Sequence, residues 1–337
     1  MVTTSPETFL AVLPIAQAAI NSAQRVTLLS HYNPDPDAYG SSCGLALALE
    51  AAGKTVEIVN ENGSVQKLSF IPGVTRVVAV PTLVSDLVIV CDCGDIGRVG
   101  DSLVSFIKKS ATVINLDHHT SNDFFGSINL VDETASSSSE LVVRLIEALG
   151  IAIPADAANA LFAGLSADTG SFKYSSTSAR TFEIAAKLVK AGASPVRVSE
   201  FLYSSASLAA VRVHARVMSE LRLFENNTVC VLAVPQTLVE EVGASSDDSE
   251  GLVEKGRDIE GVRISALLRW VDGIWRVSLR SRSAAWNVSV LAQEFGGGGH
   301  KVAAAFRWKK SQAELEALLI PRLIAVARGA SASGAGA

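Results

Sequence analysis

The chain has 337 residues, of which 48% are hydrophobic and 19% are charged, and its formal net charge is −5 at pH 7. This composition excludes an intrinsically disordered chain, which would have few hydrophobic residues and a high net charge. The negative charge argues against binding of long nucleic acid by neutralisation of its phosphates, although it is compatible with a short anionic substrate. The length is sufficient for two domains of ordinary size.

Three features of the sequence indicate a cytoplasmic protein. The N-terminus lacks a basic region followed by an apolar core, and Pro14 interrupts its one apolar stretch, so we predict no signal peptide. The sequence contains no run of about 18 uncharged apolar residues, so we predict no membrane span. The four cysteines have no disulfide-framework spacing, which favours a reducing compartment. Cys91 and Cys93 flank Asp92, and we interpret them as small buried residues rather than a redox or zinc pair, because no second such pair exists.

Strand and helix patterns alternate along the first part of the chain, which we assign to an N-terminal domain of residues 1–194. Short Val/Ile/Leu runs predict buried strands at 26–32, 55–61, 86–92 and 112–119. Apolar spacing predicts helices at 6–24, from about Ala38 to Gly53, and at 96–108, 137–149, 155–166 and 178–191. This alternation predicts an α/β fold with a doubly wound, mostly parallel sheet that is covered on both faces.

The second part of the chain has a different pattern. Residues 195–225 form one long helical pattern, which we predict to be a helical connector that leaves room for a homodimer. A smaller, mixed α/β domain is predicted over residues 226–328. Its elements are a strand at 228–235, a hairpin at 263–282 that turns at Asp272–Gly273, a helix at 286–295, a strand at 301–308 and a helix at 312–327. The small residues of 329–337 predict a disordered tail.

Acids and histidines follow the ends of several predicted strands. They are His31, Asp35 and Asp37 after the first strand, Asp92 at the end of the third, and Asp117, His118 and His119 at the end of the fourth. Asp168 follows a predicted helix. Because the carboxyl ends of parallel strands meet at one edge of the sheet, where ligands bind in such folds, we expect these side chains to converge.

Imidazole and carboxylate are the ligands that divalent metals such as Mn²⁺ and Mg²⁺ accept, and six of these residues would suffice for two ions. We predict His31 and Asp35 on one ion, Asp37, His118 and Asp168 on the other, and Asp92 between them. His119 would orient its neighbour or donate to a substrate phosphate, and Asp117 would hydrogen-bond to a metal-bound imidazole. A helix cap or turn is the alternative role for a single such aspartate, but the number of acids and histidines that arrive together favours the metal site.

A second group of candidate residues lies in the C-terminal part, in SLRSR (278–282) and FGGGGHKVAAAF (295–306). Consecutive glycines let backbone N–H groups approach an anion closely, and His300 can donate to a phosphate. A flexible loop is the alternative interpretation of the glycines. Of Arg280 and Arg282, we expect only one to contact a ligand.

These segments together resemble the DHH phosphoesterase family with its DHH-associated C-terminal domain. The matching pieces, in the family's order, are HYNPDPDAYGS (31–41), the acid in VCDCGDIGRVG (90–100), LDHHTSN (116–122), SADTGSF (166–172), SLRSR (278–282) and FGGGGH (295–300). The resemblance implies the same six metal ligands, with Asp92 and His119 at the reacting phosphate. It also implies Arg280, His300 and a glycine loop of Gly297, Gly298 and Gly299 as substrate contacts. One departure is Ala305, where the family usually has glycine, and it puts the exact substrate in doubt.

The two-domain size resembles the oligoribonuclease (nanoRNase) and 3′-phosphoadenosine 5′-phosphate phosphatase type within this family. This implies Mn²⁺-dependent hydrolysis of very short RNAs to mononucleotides and removal of that 3′ phosphate. The substrate would lie in a cleft between the domains, attacked by a hydroxide that bridges the two ions. The alternatives are a linear or cyclic dinucleotide phosphodiesterase and an inorganic pyrophosphatase or polyphosphatase, although the basic Ser-Arg-Lys-Lys stretch of the latter is absent. A non-catalytic nucleotide sensor is disfavoured because all six ligands are present.

Overall fold

The computed structural model describes residues 6–204, 206–245 and 247–329, and for Pro6, Glu7 and His300 it describes the backbone only. These residues form two compact units, one up to Ser204 and one from Ala206 onwards. Most of the tail predicted at 329–337 lies outside the described residues. None of the helices in the described ranges combines the length and apolar character that a membrane span requires.

The first unit contains a five-stranded sheet in the order β2-β1-β3-β4-β5, in which all neighbouring strands are parallel. Its strands are β1 (Arg25–Leu29), β2 (Thr55–Val59), β3 (Leu87–Cys91), β4 (Val113–Asp117) and β5 (Ile128–Val131). The sequence predicted the first four strands and missed β5. Because β1 lies between β2 and β3, the strand order reverses there, which places a ligand crevice at the carboxyl ends of β1 and β3.

Helices cover both faces of this sheet. They are α1 (Pro6–Ser22), α2 (Pro36–Ala51), α3 (Asp101–Lys109), α4 (Ser138–Ala148), α5 (Ala155–Asp168), α6 (Ala179–Lys190) and α7 (Pro195–Tyr203). Successive strand residues alternate between two apolar cores: Leu28 and Ile89 lie in one, Leu29 and Val90 in the other. The prediction of a doubly wound α/β fold is therefore confirmed.

Cys91 and Cys93 are both buried and free, and they belong to different apolar cores on opposite faces of the sheet. The predicted helix at 96–108 begins as a single 3-10 turn, Ile96–Val99, and continues as α3 after Gly100. Gly100 has a φ of +103°, a conformation that interrupts a regular helix.

The second unit contains a mixed sheet in the order β10-β11-β9-β8-β7-β6, in which β7 and β8 are parallel and the other pairs antiparallel. Its elements are α8 (Leu208–Ser219), β6 (Arg222–Phe224), β7 (Val229–Val234), α9 (Gln236–Val242), α10 (Leu252–Asp258), β8 (Ile264–Val271), β9 (Ile274–Ser281), α11 (Val288–Glu294), β10 (Gly298–His300), β11 (Ala303–Trp308) and α12 (Gln312–Ala327). The mixed α/β prediction is confirmed. So is the hairpin turn, where Asp272 and Gly273 both have positive φ.

Residues 195–225, which were predicted to be a helical connector, do not form one uninterrupted helix. The segment contains α7, α8 and the strand β6, and the two units divide within it. The break has a local cause: α7 ends at Tyr203, and the Ser207 side chain caps α8 by accepting a hydrogen bond from the Ala210 N–H at 2.9 Å. The apolar spacing of the two helices continues across the break, which is why the sequence pattern did not separate them.

Candidate metal centre

The segment after β1 contributes His31, Asp35 and Asp37. Asp35 is the N-cap of α2, and its Oδ1 accepts hydrogen bonds from the backbone N–H groups of Asp37 and Ala38, both at 2.9 Å. Its other oxygen, Oδ2, lies 3.9 Å from Nε2 of the buried His31. The capping role weighed from the sequence is therefore real, and it leaves one carboxylate oxygen directed at the histidine.

Asp37 is fully buried, and its carboxylate faces the N-terminus of α4. Oδ2 accepts a hydrogen bond from the Ser138 N–H at 2.6 Å, and Oδ1 accepts one from the Ser139 N–H at 3.0 Å. Both N–H groups lie in the first turn of a helix, where they have no partner within the helix and where the helix dipole favours negative charge. The fold thus holds this carboxyl group in a position closed to bulk water.

Asp92 follows β3 and lies among three histidines. Its Oδ2 is 3.4 Å from His31 Nε2, and its Oδ1 is 3.6 Å from His118 Nε2 and 3.8 Å from His119 Nδ1. The Ser138 hydroxyl donates to Oδ1 at 3.0 Å. Asp92 has a φ of +57°, and such strained backbone positions are concentrated at functional sites.

The end of β4 and the end of α5 complete the arrangement. His118 Nε2 lies 3.1 Å from Asp168 Oδ2, yet this buried nitrogen forms no hydrogen bond of acceptable geometry. Asp117 Oδ1 lies 2.7 Å from His119 Nδ1, and its Oδ2 accepts a hydrogen bond from the Asn122 side chain. Asp117 was predicted to hydrogen-bond to a metal-bound imidazole. In the structure it orients His119 instead, and His119 is not one of the six predicted ligands.

The structure brings all six predicted ligands into overlapping groups, which we call the acid–histidine cluster: His31, Asp35, Asp37, Asp92, His118 and Asp168. Within the described residues, three groups have ligand atoms within 4.8 Å of one another: His31–Asp35–Asp92, Asp37–His118–Asp168 and Asp92–His118–His119. The first two groups correspond to the predicted division between two ions. The buried His118 Nε2, which forms no hydrogen bond of acceptable geometry, and the carboxylate-rich donor set fit a hard or borderline divalent ion.

The electrostatics of the cluster also fit a cation. Burial raises the pKa of Asp92, but the hydrogen bond with His31 and the positive charges of the histidines lower it more, so its pKa lies well below the usual range. Burial, together with the charges of Asp92 and Asp168, raises the pKa of Asp35 to about 6 and that of Asp37 well above its usual value. Asp35 is half exposed, so solvent weakens the burial contribution there. Repulsion among these carboxylates is what a divalent ion would relieve.

Ser138 and Ser139 are the residues at this site that the sequence analysis missed. They position Asp37 and Asp92 through two backbone N–H groups and one hydroxyl. The available signal was the run of four serines at 136–139, which spans the start of α4. Ser137 is the N-cap of α4 and accepts a hydrogen bond from the Glu140 N–H at 3.0 Å.

The predicted substrate residues all lie in the second unit. Arg280 belongs to β9, and its Nε donates to Glu254 Oε1 at 2.9 Å. Gly298, Gly299 and the backbone of His300 form β10, so the flexible-loop interpretation was wrong for them, whereas Gly297 precedes the strand. A Cβ at Gly297 or Gly299 would collide with backbone atoms of β11, so these glycines are required for strand packing. The side chain of His300 lies outside the described part of the chain.

Comparison with known proteins identifies one family for this chain. Residues 25–165 match the family model described as DHH family, N-terminal domain, and residues 226–325 match the DHHA1 domain. The bifunctional oligoribonuclease and PAP phosphatase NrnA of Bacillus subtilis is 30% identical over 302 residues, which cover 87% of this chain and 94% of the relative.

Two solved structures share the fold. An exopolyphosphatase-related protein from Bacteroides fragilis has a TM-score of 0.89 at 24% identity, over 96% of this chain and 98% of that one. RecJ from Thermus thermophilus, in complex with Mn²⁺, has a TM-score of 0.54 at 15% identity, over 97% of this chain and 56% of that one. On the family models and the Bacillus subtilis relative together, the chain belongs to the DHH family and carries a DHHA1 domain after its DHH domain.

Proposed function

We propose that the chain is a metal-dependent phosphoesterase that hydrolyses very short oligoribonucleotides to mononucleotides and removes the 3′ phosphate of 3′-phosphoadenosine 5′-phosphate. The observation that carries this proposal is the acid–histidine cluster at the carboxyl ends of β1, β3 and β4. The substrate class is supported by the relative named as a bifunctional oligoribonuclease and PAP phosphatase, which matches this chain over 94% of its own length.

The cluster would hold two divalent ions, and we propose Mn²⁺, with Mg²⁺ as the alternative. His31 and Asp35 would hold one ion, Asp37, His118 and Asp168 the other, and Asp92 would contact both. When bound there, such ions lower the pKa of a water and neutralise the charge of the attacked phosphate. The Mn²⁺ complex of RecJ, which shares this fold, supports the choice of metal.

His119 is suited to neutralise a phosphoryl oxygen. Burial lowers its pKa, but the hydrogen bond with Asp117 and the charge of Asp92 raise it more, so the pKa of the ring lies above its usual value. Asp117 fixes a proton on Nδ1 and thereby the orientation of the ring. A ring held in this way can bring positive charge to a phosphate without first having to reorganise.

Arg280, Gly297, Gly298, Gly299 and His300 are our proposed contacts to the remainder of the substrate. Arg280 already pairs with Glu254, so a substrate phosphate would have to compete for the guanidinium or share it. The net charge of −5 supports a short substrate over a long nucleic acid. The four free, buried thiols support a cytoplasmic location. A homodimer remains a prediction.

The proposal is tested by hydrolysis assays with a labelled pentaribonucleotide, a dinucleotide, 3′-phosphoadenosine 5′-phosphate and pyrophosphate, each with Mn²⁺ and with chelator. We expect Mn²⁺-dependent turnover of the RNAs and of the bisphosphate nucleotide. Asp92→Asn should lower this turnover by at least about 100-fold, because it removes the charge shared by the two halves of the cluster. Asp156→Asn, which removes an exposed charge from α5, is the matched control and should retain full activity.

Each contrary outcome has a distinct meaning. Turnover of pyrophosphate alone would retain the metal centre but contradict the nucleotide-directed function. No turnover of any substrate would favour a nucleotide sensor. Full activity of Asp92→Asn would overturn the assignment of the ligands.

A further inference from the structure

Three arginines form a row across adjacent strands of the second unit. In the sheet register, Arg276 of β9 pairs with Arg269 of β8 on one side and with Arg307 of β11 on the other. The residues next to them, Val277 and Phe306, are buried in the apolar core that contains residues of α11 and α12. Because side chains alternate along a strand, the arginine row lies on the opposite face of the sheet.

The arginine row borders a cavity of about 510 Å³. The cavity is also lined by Ser278, by the backbone of Gly296 and Gly297, and by Ala305. This volume is within the range of small-ligand sites, roughly 300–1,000 Å³. Arg280, the arginine proposed to contact the hydrolysed substrate, is not among its described lining residues.

The positive charge around this cavity is largely uncompensated. One carboxylate contacts the row: Asp272 Oδ2 lies 3.0 Å from Arg276 Nη2, and both side chains are exposed. Within the described residues, Arg269 and Arg307 form no ion pair, and Arg269 Nε is buried without a hydrogen-bond partner. Like charges directly opposite each other destabilise a sheet, and a buried donor without an acceptor costs further stability. Three cationic side chains nevertheless lie side by side in a chain whose net charge is −5.

A bound phosphate group would offset the repulsion among the three guanidinium groups. Its oxygens accept charge-assisted hydrogen bonds, and guanidinium groups match its geometry better than ammonium groups do. The Ser278 hydroxyl supplies a further donor on the same face of β9. Ala305 pairs with Ser278 and Gly298, so the methyl group that stands where the family usually has glycine lies at this cavity.

We propose that this cavity is a phosphate-binding site separate from the acid–histidine cluster, with Arg269, Arg276 and Arg307 as its cationic ligands. The phosphate would come from a nucleotide or from free inorganic phosphate or pyrophosphate. No metal ligand contributes to this site, so phosphate binding there should not require a bound metal, although Gly297 lines the cavity and is also one of the proposed substrate contacts.

The test is calorimetric titration of the full chain with pyrophosphate at low salt, after divalent metals have been removed by chelator and the chelator dialysed away. Arg307→Gln should weaken binding by at least about tenfold, and the double variant R276Q/R307Q should abolish it. Both arginines are exposed, so these variants should fold, which thermal unfolding would verify. Arg212→Gln, an exposed arginine of α8 without an ion pair in the described residues, controls for net charge and should bind as the wild type does.

The same titration with 3′-phosphoadenosine 5′-phosphate distinguishes a nucleotide ligand from free phosphate or pyrophosphate. Tighter binding of the nucleotide than of pyrophosphate, lost in R276Q/R307Q, would identify a nucleotide phosphate as the ligand. Equal or weaker binding of the nucleotide would identify free phosphate or pyrophosphate. Absence of pyrophosphate binding to the wild type would overturn the proposal. So would unchanged binding in R276Q/R307Q or an equal loss in R212Q.

Discussion

Ser138 connects two aspartates that come from different elements: Asp37 lies in the first turn of α2, and Asp92 follows β3. Its backbone N–H donates to Asp37 and its hydroxyl donates to Asp92, so one residue fixes the separation of the two carboxylates. Both carboxylates are buried, which makes each hydrogen bond worth more than it would be in water. Partners of this kind, which hold a metal ligand without touching the metal, commonly affect metal affinity by about 10–100-fold.

Ser138→Ala should weaken Mn²⁺ binding by about 10–100-fold, because it removes the hydroxyl from Asp92 and leaves the backbone bond to Asp37 intact. Ser136→Ala is the matched control, since it removes a buried hydroxyl of the same segment that donates to Glu140 instead. Both variants should lose about 1–2 kcal/mol of stability. Calorimetric Mn²⁺ titration separates the two roles: equal affinities for the two variants would contradict a positioning role for Ser138.

At the scale of elements, close packing of α2 against α5 brings Asp37 into the cluster. Gly40 and Gly44 of α2 and Gly164 of α5 lie where a side chain would collide with the neighbouring helix or with groups around the site. A Cβ at Gly164 would overlap Ser139 Oγ and come within 2.5 Å of Asp37 Oδ1. Glycine at this position is therefore a requirement of the site and not only of the helix pair.

Gly164→Ala should destabilise the first unit by about 1–3 kcal/mol through overpacking and should also weaken Mn²⁺ binding, because Asp37 must move. Gly44→Ala is the control: its Cβ would meet the Leu161 side chain at 2.5 Å, within the same helix pair but away from the acids. Both should lower the urea midpoint, and only Gly164→Ala should change the Mn²⁺ affinity. A matching loss of affinity in Gly44→Ala would indicate a general effect of the helix pair.

The elements that the sequence predicted well are those with a strong apolar signal. β1, β3 and β4 are almost entirely buried. Their Val/Ile/Leu runs are continuous because helices cover both faces of the sheet, so successive side chains are all buried. β5 has only four residues and includes a polar asparagine, so its pattern is too short to identify. α9 and α10 have seven residues each and flank a polar segment, and they depend on tertiary packing more than on local preference.

The sequence could predict those residues of the candidate site that directly follow the end of a strand. His31, Asp92 and His118 could be placed because a parallel sheet delivers such residues to one edge. Ser138 could not, because it acts through the first turn of α4, which reaches Asp37 only after α2, α4 and α5 have packed. The row of Arg269, Arg276 and Arg307 likewise requires the pairing of β9 with β11, which local sequence does not determine.

At the scale of the whole molecule, the two units have opposite local charges. The first unit concentrates carboxylates that repel one another, and the second places three arginines side by side, of which only Arg276 pairs with a carboxylate within the described residues. Divalent cations should therefore stabilise the first unit alone. The cause is linkage: a ligand that binds only the folded state stabilises it by about 2.7 kcal/mol at 100 times its dissociation constant.

Hydrogen exchange of the full chain should show Mn²⁺-dependent protection in peptides that cover 31–41, 116–122 and 136–141, and none in those from 226–325. Because Asp35 is a proposed metal ligand and its pKa is raised to about 6, protons should compete with Mn²⁺ for its carboxylate. Protection should therefore increase as the pH rises through about 6 and fall as the carboxylate becomes protonated. Asp92→Asn should show no response to Mn²⁺ at any pH. Protection spread equally over both units, or retained in Asp92→Asn, would contradict a metal centre confined to the acid–histidine cluster.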